Sequence, residues 1–406
     1  MSETIAVIGA GQAGGWAARS LRDLGYSGRV VLVGDEPHPP YERPPLSKGI
    51  LGGSMAAQAA TIFDAEALGR LEIDWRPAVT CASIDRAGRA VTLSDGTSIR
   101  YDQLILCTGG RARRLEIPGA DLSNVFTLRN LDDTAALAAR LEPGRHLVAI
   151  GGGWIGLEVA ATARGKGLEA TVVEAEARLC ARTLPPEGSE FLHALHQRHG
   201  ARLLLGRTVE RIDRMPDGRL AVMLGGGQIL PADLVVVGVG LVPNDELARE
   251  SGLECRGGIV VDTRCRTSDD RILAAGDVAV TFNTWYQQQL RLESWQNAQD
   301  QGIAAAKSAL GQDIRYDPLP RFWSDQYDVT VQILGCVGGG RGVPVVRRDQ
   351  ESDRFMIFNV DGNRLLGVLG VNAAADLRAA RRLLVAGKPV QADALSDPAF
   401  DLAEAA

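Results

Sequence analysis

Two glycine clusters carry the most specific chemistry in this 406-residue sequence. The first is Gly9-x-Gly11-x-x-Gly14, with Asp35 following 21 residues after Gly14. The second is Gly151-x-Gly153-x-x-Gly156, with Glu174 following 18 residues after Gly156. In such a turn the first glycine permits a tight bend and the second lets the backbone approach a pyrophosphate. The third lets helix and strand pack closely, and the distal acid accepts from ribose hydroxyls. Unpaired N–H groups and the positive dipole end of the following helix then face the phosphates. Two dinucleotides are therefore expected. Glu174 is followed by Ala175 and not by a basic residue, so a 2′-phosphate would meet a carboxylate and NADH is favoured over NADPH. Arg178 and Arg182 are the nearby cations that weaken this preference. Asp277 stands at the end of a strand-like run, where a carboxylate can hold the ribitol hydroxyls that only a flavin has; a solvated turn aspartate is the alternative. Lys48 follows two prolines that stiffen its approach. Glu158, two residues past Gly156, is placed where it could pair with that lysine, the alternative being a surface ion pair worth little.

These residues need strands and helices to position them. Residues 4–35 run strand (TIAVIG), glycine turn, helix, strand (RVVLVGD), and residues 147–174 repeat the order. Short apolar runs alternating with helical-period segments indicate parallel βαβ units. A meander follows each unit and ends in a near-copy, DGTSIRYDQLILCTGGR (95–111) and GGQILPADLVVVGVGLVPN (226–244). The order predicts an α/β protein with two related Rossmann-like domains, the second inserted into the first, and RILAAGDVAV (271–280) returning to the first. From about Arg321 the pattern becomes antiparallel: 328–336, 343–349 and 354–360 are strand-like, and Asp361-Gly362 reads as a hairpin turn. A helix over about Ala374 to Val385, with Leu377, Leu383 and Leu384 near one face, closes a small α+β domain.

The composition, 45% hydrophobic and 23% charged, is that of a globular protein, and the net charge of −6 argues against nucleic acid or an anionic membrane as partner. Six irregularly spaced cysteines read as free, mostly buried thiols of a reducing compartment. The chain enters a strand almost at once, and its longest apolar run, 234–242, is too short to span a bilayer. A cytoplasmic protein without metal is expected.

GAGQAGGWAARSLR, PYERPPLSKGIL, YDQLILCTGGR, GGGWIGLEVAA, ILAAGDVA, ESWQNAQDQG and FWSDQYDV occur in order from end to end. Together they resemble the FAD-dependent ferredoxin reductases of aromatic-ring dioxygenase systems, within the glutathione-reductase-like flavoproteins. The resemblance implies non-covalent FAD, NADH as donor and a small [2Fe–2S] ferredoxin, Rieske-type, as acceptor. It implies FAD-binding from residues 1–112 and 245–320, NADH-binding from 113–244, and a C-terminal domain over 321–406. Around FAD it places the turn Gly9, Gly11, Ala13 and Gly14, then Asp35, Arg43, Lys48, the backbone of Val79, Arg129, Asp277 and Trp295. Around NADH it places Gly151, Gly153, Ile155, Gly156, Glu158 and Glu174, with backbone from Gly238 to Gly240. A cation such as Lys48 at the flavin would stabilise the charge of its reduced form. Trp323 is the candidate bridge to ferredoxin, with a core tryptophan as the alternative. Arg111, Arg113, Arg114, Arg315 and Arg321 could supply a basic patch for an acidic ferredoxin.

Flavoproteins that reduce disulfides need a cysteine pair beside the flavin. Here no cysteine precedes Cys81, and Ser47 sits in the loop where a thiol would be looked for, which argues against that chemistry. The run His193-x-x-His196-x-x-His199 is read as a surface helix, not a metal site. Competing functions are a reductase for an adrenodoxin-like ferredoxin of a haem monooxygenase, an NADH:quinone oxidoreductase, and a non-enzymatic redox sensor. The quinone reading would want a basic amphipathic or aromatic anchor, whereas DPAFDLAEAA is acidic.

Overall fold

The computed structural model describes residues 3–338, 341–348 and 354–403. β1 (Thr4–Ile8) leads through α1 (Gln12–Asp23) to β2 (Arg29–Val33). Later in the chain β3 (His146–Ile150) leads through α2 (Trp154–Gly165) to β4 (Glu169–Glu174), and α3 (Pro186–Arg198) follows. By packing, the chain divides into two compact units. One comprises Met1–Pro44, Ala57–Arg111 and Leu241–Leu319; the other comprises Pro45–Ala56, Ala112–Gly240 and Pro320–Ala406.

In the first unit β1 is central. β2 and then Ile73–Arg76 lie on one side of it, and Gln103–Leu106 and then Ile272–Ala274 on the other, all parallel. Both faces are covered, which explains the near-continuous apolar runs. Val7, Leu32 and Ile105 pack with Ala17 and Leu21 of α1, whereas Ala6, Val31 and Leu104 pack with Val91 of the meander. The run 271–280 does return to this sheet, since Ile272–Ala274 pairs with Gln103–Leu106.

The second unit repeats the wiring. β3 is central, with β4 and Arg202–Leu205 on one side and Leu234–Val237 and Val125–Thr127 on the other, all parallel. Each parallel sheet is accompanied by a three-stranded antiparallel meander, Cys81–Asp85, Ala90–Leu93 and Ser98–Arg100 in one and Val209–Arg214, Leu220–Leu224 and Ile229–Ala232 in the other.

The second unit also carries a five-stranded antiparallel sheet. Its order is β5 (Arg321–Gln326), β6 (Val329–Gly335), Arg364–Val371, Phe355–Asp361 and Val343–Arg348. Helix Ala374–Ala386 buries Leu377, Leu383 and Leu384. The hairpin turn falls one residue later than the sequence suggests: Asp361 still pairs with Arg364, so Gly362 (φ 61°) and Asn363 form the loop. Asp349 and the last three residues of the acidic ending lie outside the described residues. Segment 45–56 packs in this unit because Leu51 is fully buried in the core that holds Leu137 and Leu157.

Candidate functional site

The first glycine turn is built by close approach. Gly9 has φ 107°, and a Cβ there would lie 2.1 Å from the Cys107 carbonyl oxygen. A Cβ on Gly14 would lie 1.8 Å from the Gly9 oxygen, so α1 can leave β1 this tightly only with glycine at both positions. Gly11 differs: within 4 Å its Cβ would meet only the Arg43 guanidinium, at 3.9 Å. No side chain caps the N-terminus of α1. Gln12, which sequence reasoning passed over, is buried there with neither amide atom paired. A buried unpaired amide is costly, and an open turn with free N–H groups fits a pyrophosphate.

Arg43 is held at this turn by Glu36, with Nη2 at 2.9 Å from Oε1, and Glu36 also accepts from the Tyr41 hydroxyl at 2.5 Å. Burial alone would lower the Arg43 pKa, but Tyr41, Glu36 and Asp277 more than offset it and raise the value. Gly276, the neighbour of Asp277, comes close to this turn, since a Cβ on it would lie 2.9 Å from that of Ala13. Asp35 is exposed beside Glu36. Trp295 opens helix Trp295–Ala309 after the Ser294 cap. The Val79 amide is committed to the Gly34 oxygen at 2.9 Å. Lys48 and Arg129 belong to the other unit; there Arg129 precedes Asn130, which caps helix Leu131–Ala138.

The second turn reproduces the first. Gly151 has φ 110°, and its Cβ would lie 2.5 Å from the Gly238 oxygen. That of Gly156 would lie 2.0 Å from the Gly151 oxygen, and that of Gly153 only 3.9 Å from Gly238. α2 has no side-chain cap either. Ile155 is exposed in its first turn, and Gly240 (φ 108°) is exposed past the return strand. Glu174 accepts from the Gly152 amide at 2.5 Å and from the Glu176 amide at 2.7 Å, so its carboxylate is fixed at the lip of the turn. Arg178 faces inward, bonded to Leu184 and Ala181 carbonyls and to Ser189. Both turns therefore fit dinucleotide phosphates.

Glu158, on α2, is 3% exposed and gathers a cluster of polar partners. Lys48 Nζ lies 2.8 Å from Oε2, and the Ser47 hydroxyl donates to the same oxygen at 2.5 Å. The Ser324 hydroxyl on β5 donates to Oε1 at 2.6 Å. Thr162, one turn along α2, donates to the Ser47 carbonyl at 2.7 Å. Glu158 is buried and Lys48 is only partly exposed, so a fully solvated surface ion pair, the alternative read from sequence, does not describe them. Ser324 and Gln326 were not singled out from the sequence, and Ser47 was noted there only as standing where a thiol would be looked for. The signal was the alternation Phe322, Ser324, Gln326 on one strand, which turns two polar side chains inward. Trp323 on the alternate face is half-buried, while Phe322 packs on Trp154 with ring centroids 4.9 Å apart.

The surface reading of the histidine run fails at His196, which is fully buried because it shares a face of α3 with Leu192 and Leu195. Its Nε2 lies 2.8 Å from Gln326 Oε1. Among the described residues no three potential ligands gather into a metal cluster. The six cysteines are unpaired with one another. Burial pushes the Cys81 thiol up to about 11 and Cys107 up to about 12, and raises Cys180 and Cys265 as well, so none of these four offers a thiolate at neutral pH.

Residues 3–302 match the family described as pyridine nucleotide-disulphide oxidoreductase. The chain belongs to that family. Residues 321–406 match a second one, described as reductase C-terminal. Among similar members of known name, rhodocoxin reductase of Rhodococcus erythropolis is 44% identical, covering 98% of this chain and 93% of that protein. The anthranilate 1,2-dioxygenase system ferredoxin–NAD(+) reductase component of Burkholderia cepacia is 38% identical, covering 99% and 98%. The crystal structure of the ferredoxin reductase for the CYP199A2 system from Rhodopseudomonas palustris has a TM-score of 0.95 at 40% identity, covering 100% of both chains. This pyridine nucleotide-disulphide oxidoreductase is an FAD- and NADH-dependent enzyme. Among the described residues no helix is long and apolar enough to cross a membrane.

Proposed function

We propose that the enzyme passes electrons from NADH through FAD to a small [2Fe–2S] ferredoxin of the Rieske type, in the cytoplasm, within a multicomponent aromatic-ring dioxygenase system. The observation that carries this reading is the coexistence of two pyrophosphate-shaped turns with cysteines that form no disulfide, the thiols of Cys81, Cys107, Cys180 and Cys265 being raised by burial. Electrons accepted from NADH then have no dithiol to enter, and they leave to a separate carrier. Bound flavin supplies the link between a two-electron hydride donor and a one-electron acceptor.

The chain's own residues bind and orient. Residues 1–112 with 245–320 form the FAD-binding domain: Gly9, Gly11, Gly14 and Ala13 receive the pyrophosphate, Asp35 the ribose, and Asp277 the ribitol. Arg43, Val79, Arg129 and Trp295 complete that site. Residues 113–244 bind NADH through Gly151, Gly153, Ile155, Gly156, Glu174, Gly238 and Gly240. Lys48, held by Glu158, brings positive charge to the site where the flavin gains negative charge. Residues 321–406 dock the ferredoxin, with Trp323 at the exit.

A second reading, an adrenodoxin-like ferredoxin serving a haem monooxygenase, is favoured by the likeness, at 40% identity, to the solved ferredoxin reductase for the CYP199A2 system. NADH-driven reduction of a Rieske and an adrenodoxin-like ferredoxin at one salt concentration separates the two. A higher kcat/KM with the Rieske protein is expected; a preference for the other gives the second reading, and reduction of neither overturns both.

A further inference from the structure

We propose that Ser324 and Ser47 are positioning residues for the Lys48–Glu158 ion pair, with Ser324 set by a one-way hydrogen-bond chain that starts at Tyr327. The inference rests on the reading above that Lys48 acts when NADH reduces the flavin.

The direction of the chain follows from its anionic end. A carboxylate paired with an ammonium offers only acceptor sites, so the Ser324 hydroxyl donates to Glu158 Oε1 at 2.6 Å. Its lone pairs are then left to accept from Gln326 Nε2 at 3.0 Å. That orients the amide, and Gln326 Oε1 faces His196 Nε2 at 2.8 Å, so Nε2 carries the imidazole proton. Nδ1 is left to accept from the Tyr327 hydroxyl at 3.1 Å. One charge thus assigns four donors in sequence. His196 is fully buried, and burial lowers its pKa to about 4, which keeps a single neutral tautomer in place.

The other carboxylate oxygen is shared. Oε2 takes both Lys48 Nζ and the Ser47 hydroxyl, while Thr162 grips the Ser47 carbonyl from the same face of α2. With Oε1 and Oε2 engaged by donors on different segments, the carboxylate cannot turn about its axis, and the ammonium it holds keeps one position. Removing the Ser324 hydroxyl frees that rotation and leaves Lys48 in place but misaligned.

The test is anaerobic stopped-flow reduction of the FAD-loaded full-length protein by NADH, for Ser324→Ala, Ser324→Thr, Gln326→Met and Lys48→Ala. Ser324→Ala should lower the limiting rate about 10-fold while the apparent NADH dissociation constant stays within about 2-fold. Ser324→Thr, which keeps the hydroxyl, should recover the rate to within about 3-fold of wild type. Gln326→Met, which breaks the chain one step further out, should slow reduction by a smaller factor and decides the question if Ser324→Ala does not retain flavin. An unchanged rate in both Ser324→Ala and Gln326→Met, or a threonine variant as slow as the alanine one, overturns the inference. If Lys48→Ala is also as fast as wild type, the reading of Lys48 itself fails; if Lys48→Ala is slow and the Ser324 and Gln326 variants are not, only the positioning role falls.

Discussion

Glu174 already uses both carboxylate oxygens within its own turn, accepting from the Gly152 and Glu176 amides. A carboxylate held this way would need no ordering before meeting the ribose proposed for it. From sequence, Arg178 and Arg182 stood as rivals that could accommodate a 2′-phosphate. The structure removes the first, since Arg178 is spent on Leu184, Ala181 and Ser189, while Arg182 remains exposed. Replacing Glu174 by Ala should therefore lower kcat/KM for NADH by about 10-fold, the scale of a lost hydrogen bond to a charged group. NADPH should lose less, because it also loses a repulsive neighbour, so the NADH-to-NADPH preference narrows. Steady-state kinetics with both cofactors checks this, and an unchanged preference ratio would show that Glu174 does not discriminate.

The pairing of α3 with the start of the C-terminal sheet has its own signature in stability. His196 is buried against Gln326, and burial depresses its pKa from 6.5 to about 4. The unfolded chain binds a proton near pH 6.5 and the folded chain does not until near pH 4. Stability is therefore full above pH 6.5, falls as pH drops through that window, and levels off below it. The loss is about 3 kcal/mol at 1.36 kcal/mol per pKa unit. Urea unfolding of wild type and His196→Asn between pH 7 and pH 4.5 should show a shallower pH slope in the variant; equal slopes would remove His196 as the cause. This contact also marks where sequence reasoning reached its limit. The glycine turns were legible because Gly9 and Gly14, like Gly151 and Gly156, answer a local steric demand that no other residue meets. The parallel strands were legible because burial on both faces leaves continuous apolar runs. The hydroxyl donors to Glu158 come from residues 47 and 324, far apart along the chain; Ser47 at least adjoins the lysine expected to pair with Glu158, whereas nothing in the neighbourhood of Ser324 announces an acceptor. Gln12 was missed for a similar reason, since its amide is unusual only once its burial is known.

At the scale of the whole molecule the proposed docking raises the question of how a protein of net charge −6 would attract an acidic ferredoxin. The net charge of −6 repels a negatively charged ferredoxin at long range. Attraction must come from local groups, and the structure thins the five arginines proposed for it. Arg111 is paired with Glu246 at 2.7 Å, and Arg315 lies 3.7 Å from Asp317. Arg113, Arg114 and Arg321 remain exposed, all in the unit that carries the C-terminal sheet. With about three effective charges opposed by the global field, docking should be only moderately salt-sensitive. KM for ferredoxin should rise about 2- to 5-fold between about 0.05 and 0.3 M salt, as screening shortens to less than 10 Å. Arg321→Glu should raise KM at low salt and flatten that dependence, while flavin reduction by NADH in the absence of ferredoxin stays at the wild-type rate. A KM that ignores salt in the wild-type protein would mean that apolar contact, with Trp323 as its nearest aromatic candidate, and not charge, guides the ferredoxin to the electron exit.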